Sequence, residues 1–435
     1  MIKQEAQDAC LDMIDFINAS YTAAYAVRET SNRLEKAGFK RIFEKDKWNL
    51  KSGDKFYVVR RFSSIIAGKI GTAPFEEAGF RIAGAHTDSP GFRLKPNALY
   101  EKNGYVQFGV EIYGGPILAT FTDRDLGIAG RLVYKKDDGT FDSALVVLDG
   151  PVCRIPNVAI HLNREVNTEG LKLHKQDNLP PVIGMNGGDP IEEYPLIGKL
   201  AESADVDSSK VVRHWLELFD SQPGTIGGLN AEFVFSRRID NLASCHAAVE
   251  GIINSPDETD FTQIIALWDN EEVGSSTLNG AMSTFLDDVL ERLCLSGGHD
   301  REAFFRARER SMVISADGAH AVNPNYPEAH DSKHMPVLNG GPVAKINAME
   351  RYATTPEGHA HLEACAERAG TKLQTFVSRT DKISGSTIGP MTATRLGILT
   401  IDMGTPMIGM HSAREMGGVE DQSGMIGILR EHLTE

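Results

Sequence analysis

The chain has 435 residues, 41% of them apolar and 24% charged, an ordinary globular composition long enough for two or three domains and a sizeable core. Its formal net charge is −15 with no run of Lys or Arg, which argues against a nucleic-acid partner. No apolar run approaches the roughly 18 residues of a membrane span, so a membrane partner is not expected either.

The first 20 residues mix Lys3, Glu5, Asp8, Asp12 and Asp15 with apolar residues at helical spacing, unlike a signal peptide. Two amphipathic helices are expected over 5–38, stopped at Gly38. Strands follow at Tyr57–Arg60, Ser64–Ala67 and Arg81–Ala85, and the last of these runs into His86-Thr87-Asp88. From Tyr105 to Asn163 short β-type segments (105–113, 130–134, 144–148, 158–162) are separated by turn residues, the pattern of a small sandwich or barrel. Residues 164–207 read as long loops, and Val211–Phe219 as a helix. Strand and helix then alternate: Ala231–Phe235, helix 241–253, Thr262–Trp268, helix 284–293, Met312–Ala316, helix 356–369. Alternation of this kind predicts a mixed, mostly parallel α/β sheet flanked by helices, interrupted by an inserted all-β domain. The expected boundaries are 1–93 and 232–435 for the α/β domain and 94–231 for the insert. Five scattered cysteines without a C-x-x-C pair point to a reducing compartment and a cytoplasmic location.

Open α/β sheets bind ligands at the carboxyl ends of their strands. Those ends carry His86 and Asp88; Asp240-Asn241; Asp269-Asn270-Glu271-Glu272; Asp317, with His320 beyond it; and, near the C-terminus, His411. Two imidazoles and several carboxylates in such places are the ligand set of a hydrolytic metal site. Two zinc ions would bring roughly +4, against which Asp240, Glu272 and Asp317 supply roughly −3. Short Asp240 at a strand-to-helix turn suits a bridging role. Asp88, two residues from His86, can hold the imidazole nitrogen that faces away from a metal. Glu271 and Glu272 are adjacent and cannot both face one ion alike, which divides them into proton shuttle and ligand. The P-loop, dinucleotide, H-E-x-x-H and G-x-S-x-G motifs are missing, which disfavours nucleotide enzymes, helical zincins and elbow-type serine hydrolases.

The segments Ala85–Pro90, Arg238–Leu242, Asp269–Ser275, Ser315–Asp317 with His320–Val322 and Asn325-Tyr326, Gly385–Gly389 and Met410–Glu415, together with Asp123–Leu126 and Ile155–Leu162, resemble the aspartyl aminopeptidase family of dinuclear zinc metallopeptidases. The likeness runs in order through nearly the whole chain. It implies one zinc held by His86, Asp240 and Asp317, with Asp240 bridging to a second held by Glu272 and His411; the sequence does not fix the metal, so Mn²⁺ or Co²⁺ is expected to substitute. It implies Glu271 as general base, and substrate contacts at His161, His320, Lys345 and Tyr352. His161 would reach a neighbouring subunit's site, and Lys345 would meet an acidic side chain by a charge-assisted bond. It also implies short peptide substrates and a homo-oligomer, a tetrahedral dodecamer. Residues 114–122 depart from the pattern, reading Gly-Gly-Pro-Ile-Leu-Ala-Thr-Phe-Thr where relatives commonly carry Trp.

The activity implied is a metallo-aminopeptidase acting on N-terminal Asp or Glu, with neutral residues as the other possibility. The alternatives are a dinuclear carboxypeptidase or N-acyl deacylase on the same scaffold, or a non-catalytic assembly protein retaining the fold.

Overall fold

A computed structural model describes residues 2–188, 190–383 and 385–435. Contacts divide it into two compact units: residues 1–88, 224–410 and 415–435 form the first, and 89–223 with 411–414 the second. The insert therefore begins at Ser89 and ends at Pro223, and it reclaims a four-residue segment near the C-terminus.

The first unit is built on a nine-stranded sheet. In chain order its strands are β1 (Lys40–Arg41), β2 (Lys55–Arg60), β3 (Ser64–Lys69), β4 (Phe80–His86), β5 (Thr262–Trp268), β6 (Met312–Ala316), β7 (Val343–Ile346), β8 (Gln374–Val377) and β9 (Leu399–Gly404). Their spatial order is β1-β2-β3-β5-β4-β6-β9-β7-β8. The pairs β4–β5, β4–β6 and β6–β9 at the centre are parallel, as are β1–β2 and β7–β8. The pairs β2–β3, β3–β5 and β7–β9 are antiparallel, so the sheet is mixed and mostly parallel as expected. Every residue of β5 is buried, because helices cover both faces and an unbroken apolar run satisfies both. Ile265 and Leu267 join a core with the helices Gln4–Ala19, Ile239–Asn254 and Val419–Thr434, while Ile264 and Ala266 join one with Phe285–Ser296 and Arg301–Glu309. Ile265→Ala, at a position with no exposed surface, is expected to cost about 2–5 kcal/mol through lost burial and the cavity left behind, read as a lower urea midpoint.

A five-stranded sheet completes this unit: Thr225–Gly227, Phe233–Ser236, Glu415–Gly418, Pro406–Ile408 and Ala319–His320, in that order.

The second unit is an antiparallel six-stranded sheet in the order Phe141–Cys153, Leu126–Lys135, Val211–Asp220, Gly91–Lys102, Tyr105–Tyr113 and Val182–Met185. Two local expectations change here. Val211–Asp220 is a strand and not a helix: Leu216 and Leu218 are buried while Trp215 is exposed, a period of two that two leading valines reinforce. Residues 158–162 are not a strand but a stretch ending in the 3₁₀ turn Ile160–Leu162, with Leu162 82% exposed. The polar stretch after residue 164 holds short helices at Val166–Glu169 and Leu196–Glu202. Among the described residues, no helix is long and apolar enough to cross a membrane.

Candidate metal centre

Parallel pairing of β4 with β5 sets Trp268 beside His86, so both strands deliver their following residues to the same sheet edge. Strand β6 ends one residue before Asp317, whose N–H donates to the carbonyl of Met403 in β9 at 2.9 Å. Asp240 enters from the start of the helix Ile239–Asn254, its N–H donating to Glu415 Oε2 at 3.0 Å. The three side chains converge: His86 Nε2 lies 3.3 Å from Asp317 Oδ1 and 3.5 Å from Asp240 Oδ1. All three residues are buried.

Asp88 organises the other side of the imidazole. Its Oδ1 is 3.3 Å from His86 Nδ1, and the same carboxylate accepts the N–H of Glu271 on Oδ1 and of Glu272 on Oδ2, each at 3.1 Å. One buried side chain thus sets the ring orientation and the position of the Glu271-Glu272 turn. That turn is a single 3₁₀ turn between Asn270 (φ 65°) and Gly274 (φ 91°), left-handed conformations that let β5 stop abruptly and present both carboxylates. His86, Glu271 and Glu272 each offer a ligand atom within 4.8 Å of the others, as do His86, Asp240 and Asp317.

Electrostatics agree with a site built around positive charge. Burial by itself would lower the His86 pKa, but the hydrogen-bonded carboxylates of Asp240, Asp317 and Asp88 hold it well above its usual range. Burial pushes Glu271 up to about 8, with Asp317, Asp88 and Asp240 adding to the rise against His86. Four buried or half-buried carboxylates around one imidazole form a donor set of nitrogen and oxygen atoms that divalent zinc suits, and the site is costly without a cation. Behind these side chains, Asn241 donates to the Ala316 carbonyl at 2.8 Å and the Cys245 thiol to the His86 carbonyl at 2.9 Å. Burial pushes Cys245 up to about 12, so it is a neutral packing thiol.

Lys345, in β7, is buried. Its Nζ donates to the carbonyls of Asp317 and Gly318 at 3.3 and 3.1 Å and stands 3.6 Å from Asp317 Oδ2. It also lies 5.2 Å from the ring centre of buried Tyr352. The His320 imidazole stands edge-on to Phe376 at 5.5 Å, and desolvation with the Lys345 charge pushes it down to about 4, leaving it neutral at pH 7. Beside it opens a cavity of about 280 Å³ whose lining includes Phe376, His330, Met407, Met410, Arg379 and Lys382.

Two expected residues belong to the second unit. His411 donates from Nδ1 to the carbonyl of Gly115 at 3.0 Å, which fixes the tautomer with its lone pair on Nε2. His161 is exposed in the 3₁₀ turn Ile160–Leu162. The residue that the motifs did not single out is Asp402, a carboxylate within the mostly buried strand β9 that accepts a hydrogen bond from Ser315 in β6; an acid in the buried part of a strand was its one signal.

The sequence profile of the family described as aminopeptidase I zinc metalloprotease (M18) matches residues 16–432. A probable M18 family aminopeptidase 2 of Pseudomonas aeruginosa strain LESB58 is 42% identical over 419 residues, 96% of each chain. Among solved structures, Ape4 in its complex with Nbr1 is 36% identical with a TM-score of 0.96, over 99% of this chain and 86% of that one. The mApe1 dodecamer of S. cerevisiae is 31% identical with a TM-score of 0.85, over 98% of this chain and 97% of that one.

Proposed function

The chain belongs to the M18 family of zinc aminopeptidases, hydrolases acting on peptides, and on that premise we propose that it releases N-terminal residues, acidic ones foremost, at a two-zinc site. In this reading His86, Asp240 and Asp317 would hold one ion, and Asp240, Glu272 and His411 would hold the second. The chemistry that zinc supplies when bound is Lewis-acid activation of water and of the scissile carbonyl. Mn²⁺ and Co²⁺ suit the same nitrogen and oxygen donors.

Glu271 takes the proton from the attacking water and returns it to the leaving amine. Asp88 supports that step by holding the Glu271 main chain, so that the carboxylate keeps its aim while it changes charge. The substrate's free amine lies against Asp317 and Glu271. Lys345 receives an acidic substrate side chain, with His320 as a further substrate contact and the Tyr352 ring packed against Lys345. His161 acts across a subunit contact on the oxyanion, in a homo-oligomer that the dodecameric yeast relative makes the leading expectation, with tetrahedral symmetry. The observation that carries the reading is the convergence of His86, Asp240 and Asp317, with Asp88 joining the imidazole to the Glu271-Glu272 turn.

A panel of Asp, Glu, Leu and Lys anilides on zinc-loaded protein tests it, each beside its N-acetylated form. Free-amine substrates are expected to turn over at least about a hundredfold faster than acetylated ones, because acetylation removes the cation that the carboxylates receive. Lys345→Ala should cost more on Asp and Glu anilides than on Leu. Equal turnover of acetylated substrates would replace the aminopeptidase reading with a deacylase, and equal loss on every anilide would remove Lys345 from selectivity.

A further inference from the structure

We infer that Asp402 is a positioning residue of this centre, acting through Lys345 and Ser315 on the segment that leads into Asp317; the inference rests on the proposed role of Asp317 as a ligand. Asp402 has no exposed surface. A carboxylate in that place is costly unless it is paired and hydrogen-bonded. Its Oδ1 accepts the hydroxyls of Ser315 and Thr387 at 2.7 and 2.6 Å, and its Oδ2 accepts the N–H of Ala353 at 2.6 Å. Those three donors come from three separate segments. Ser315 stands two residues before Asp317 in β6. Thr387 caps the helix Ile388–Leu396, and Ala353 follows Tyr352.

The sheet adds the fourth partner. β7 and β9 pair antiparallel at Val343–Gly404 and Ala344–Met403, which brings Lys345 and Asp402 to neighbouring places, and the Lys345 charge holds the Asp402 carboxyl down against its burial. Lys345 in turn reaches both carbonyls and the carboxylate at Asp317-Gly318. Asp402 thus shares the charge of Lys345 with Asp317, which leaves more of the Asp317 carboxylate's charge for a cation. Gly389 records the same arrangement from the other side. A Cβ there would lie 2.2 Å from Asp402 Oδ2, so the carboxylate fills the space of that side chain.

The experiment measures zinc release against a competing chelator, kcat/KM on an Asp anilide, and circular dichroism. Asp402→Asn is expected to release zinc at about tenfold lower chelator and to lose at least about tenfold in kcat/KM while remaining folded, the size of effect typical of groups supporting a metal ligand. Ser315→Ala and Thr387→Val, which each remove one donor, should move both readouts a few fold. Gly389→Ala should act like Asp402→Asn, although Ala is ordinarily the better helix residue. In a Lys345→Met background, Asp402→Asn should shift zinc release by only a few fold, since the Lys345 link is gone and the Ser315 link remains. Wild-type zinc release in folded Asp402→Asn, or full additivity with Lys345→Met, overturns the inference. Should Asp402→Asn not fold, unchanged zinc release in both Ser315→Ala and Thr387→Val overturns it. Absence of anilide turnover by the wild type would count against the proposed function instead, because zinc release reads Asp402 without it.

Discussion

Glu271→Gln is expected to lower kcat on every anilide by about three orders of magnitude, within the range general-base groups supply, and to leave fold and bound zinc in place. The fold should survive because the turn is held by main-chain N–H bonds to Asp88, which the substitution does not touch. Charge loss at this position also relieves a crowded set of carboxylates. The pH profile carries a second, independent check. A base acts only when deprotonated, so wild-type kcat/KM rises with pH through the pKa of Glu271. Burial and the neighbouring carboxylates hold that pKa up at about 8 without cations, and bound zinc moves the midpoint below that value. Residual activity of the Gln variant should show no such acid limb between about pH 5 and 8. Unchanged turnover, or an acid limb of the same midpoint in the variant, would take Glu271 out of the proton-transfer role.

The parts of this centre that were legible in the chain are those tied to strand ends. His86 and Asp317 each close a parallel strand of the central sheet, where the fold itself dictates that polar residues meet. Asp88 was legible for a related reason: a residue two beyond a strand-end histidine lies on the same side of extended chain. What it does for Glu271 and Glu272 was not, because those N–H bonds depend on β4 and β5 being neighbours, which spacing along the chain does not encode. The strand Val211–Asp220 is ambiguous in the sequence because its first six residues, Val-Val-Arg-His-Trp-Leu, satisfy a helical stripe as readily as an alternating one. Pairing along nearly its whole length with Leu126–Lys135 decides the matter. Asp402 stood in plain view within Leu399–Gly404 and went unassigned. A lone buried acid signals a partner without naming it, and here the partners come from positions 315, 353 and 387.

Asp240→Asn is expected to lose activity by more than about a hundredfold, and to lose it by a route different from Glu271→Gln, through zinc affinity. The substitution is isosteric and keeps the N–H bond from residue 240 to Glu415, so local geometry should persist. What changes is charge beside His86, where Asp240 Oδ1 lies 3.5 Å from Nε2 in a pocket that already gathers Asp317, Asp88 and Glu271. Two expectations for stability follow. In the metal-free protein Asp240 both pairs with the His86 imidazole and repels Glu271, two effects that oppose each other, so Asp240→Asn should change Tm little there. Added zinc stabilises whatever folded state binds it, by about 2.7 kcal/mol when the free ion is at a hundred times its Kd. The wild type should therefore gain a clear rise in Tm on titration with zinc, and Asp240→Asn little or none over the same range. Chelation should abolish wild-type activity and reverse its Tm gain together, with Zn²⁺, Mn²⁺ or Co²⁺ restoring both. A variant that gained as much Tm from zinc as the wild type would show that Asp240 is not among the groups that hold it.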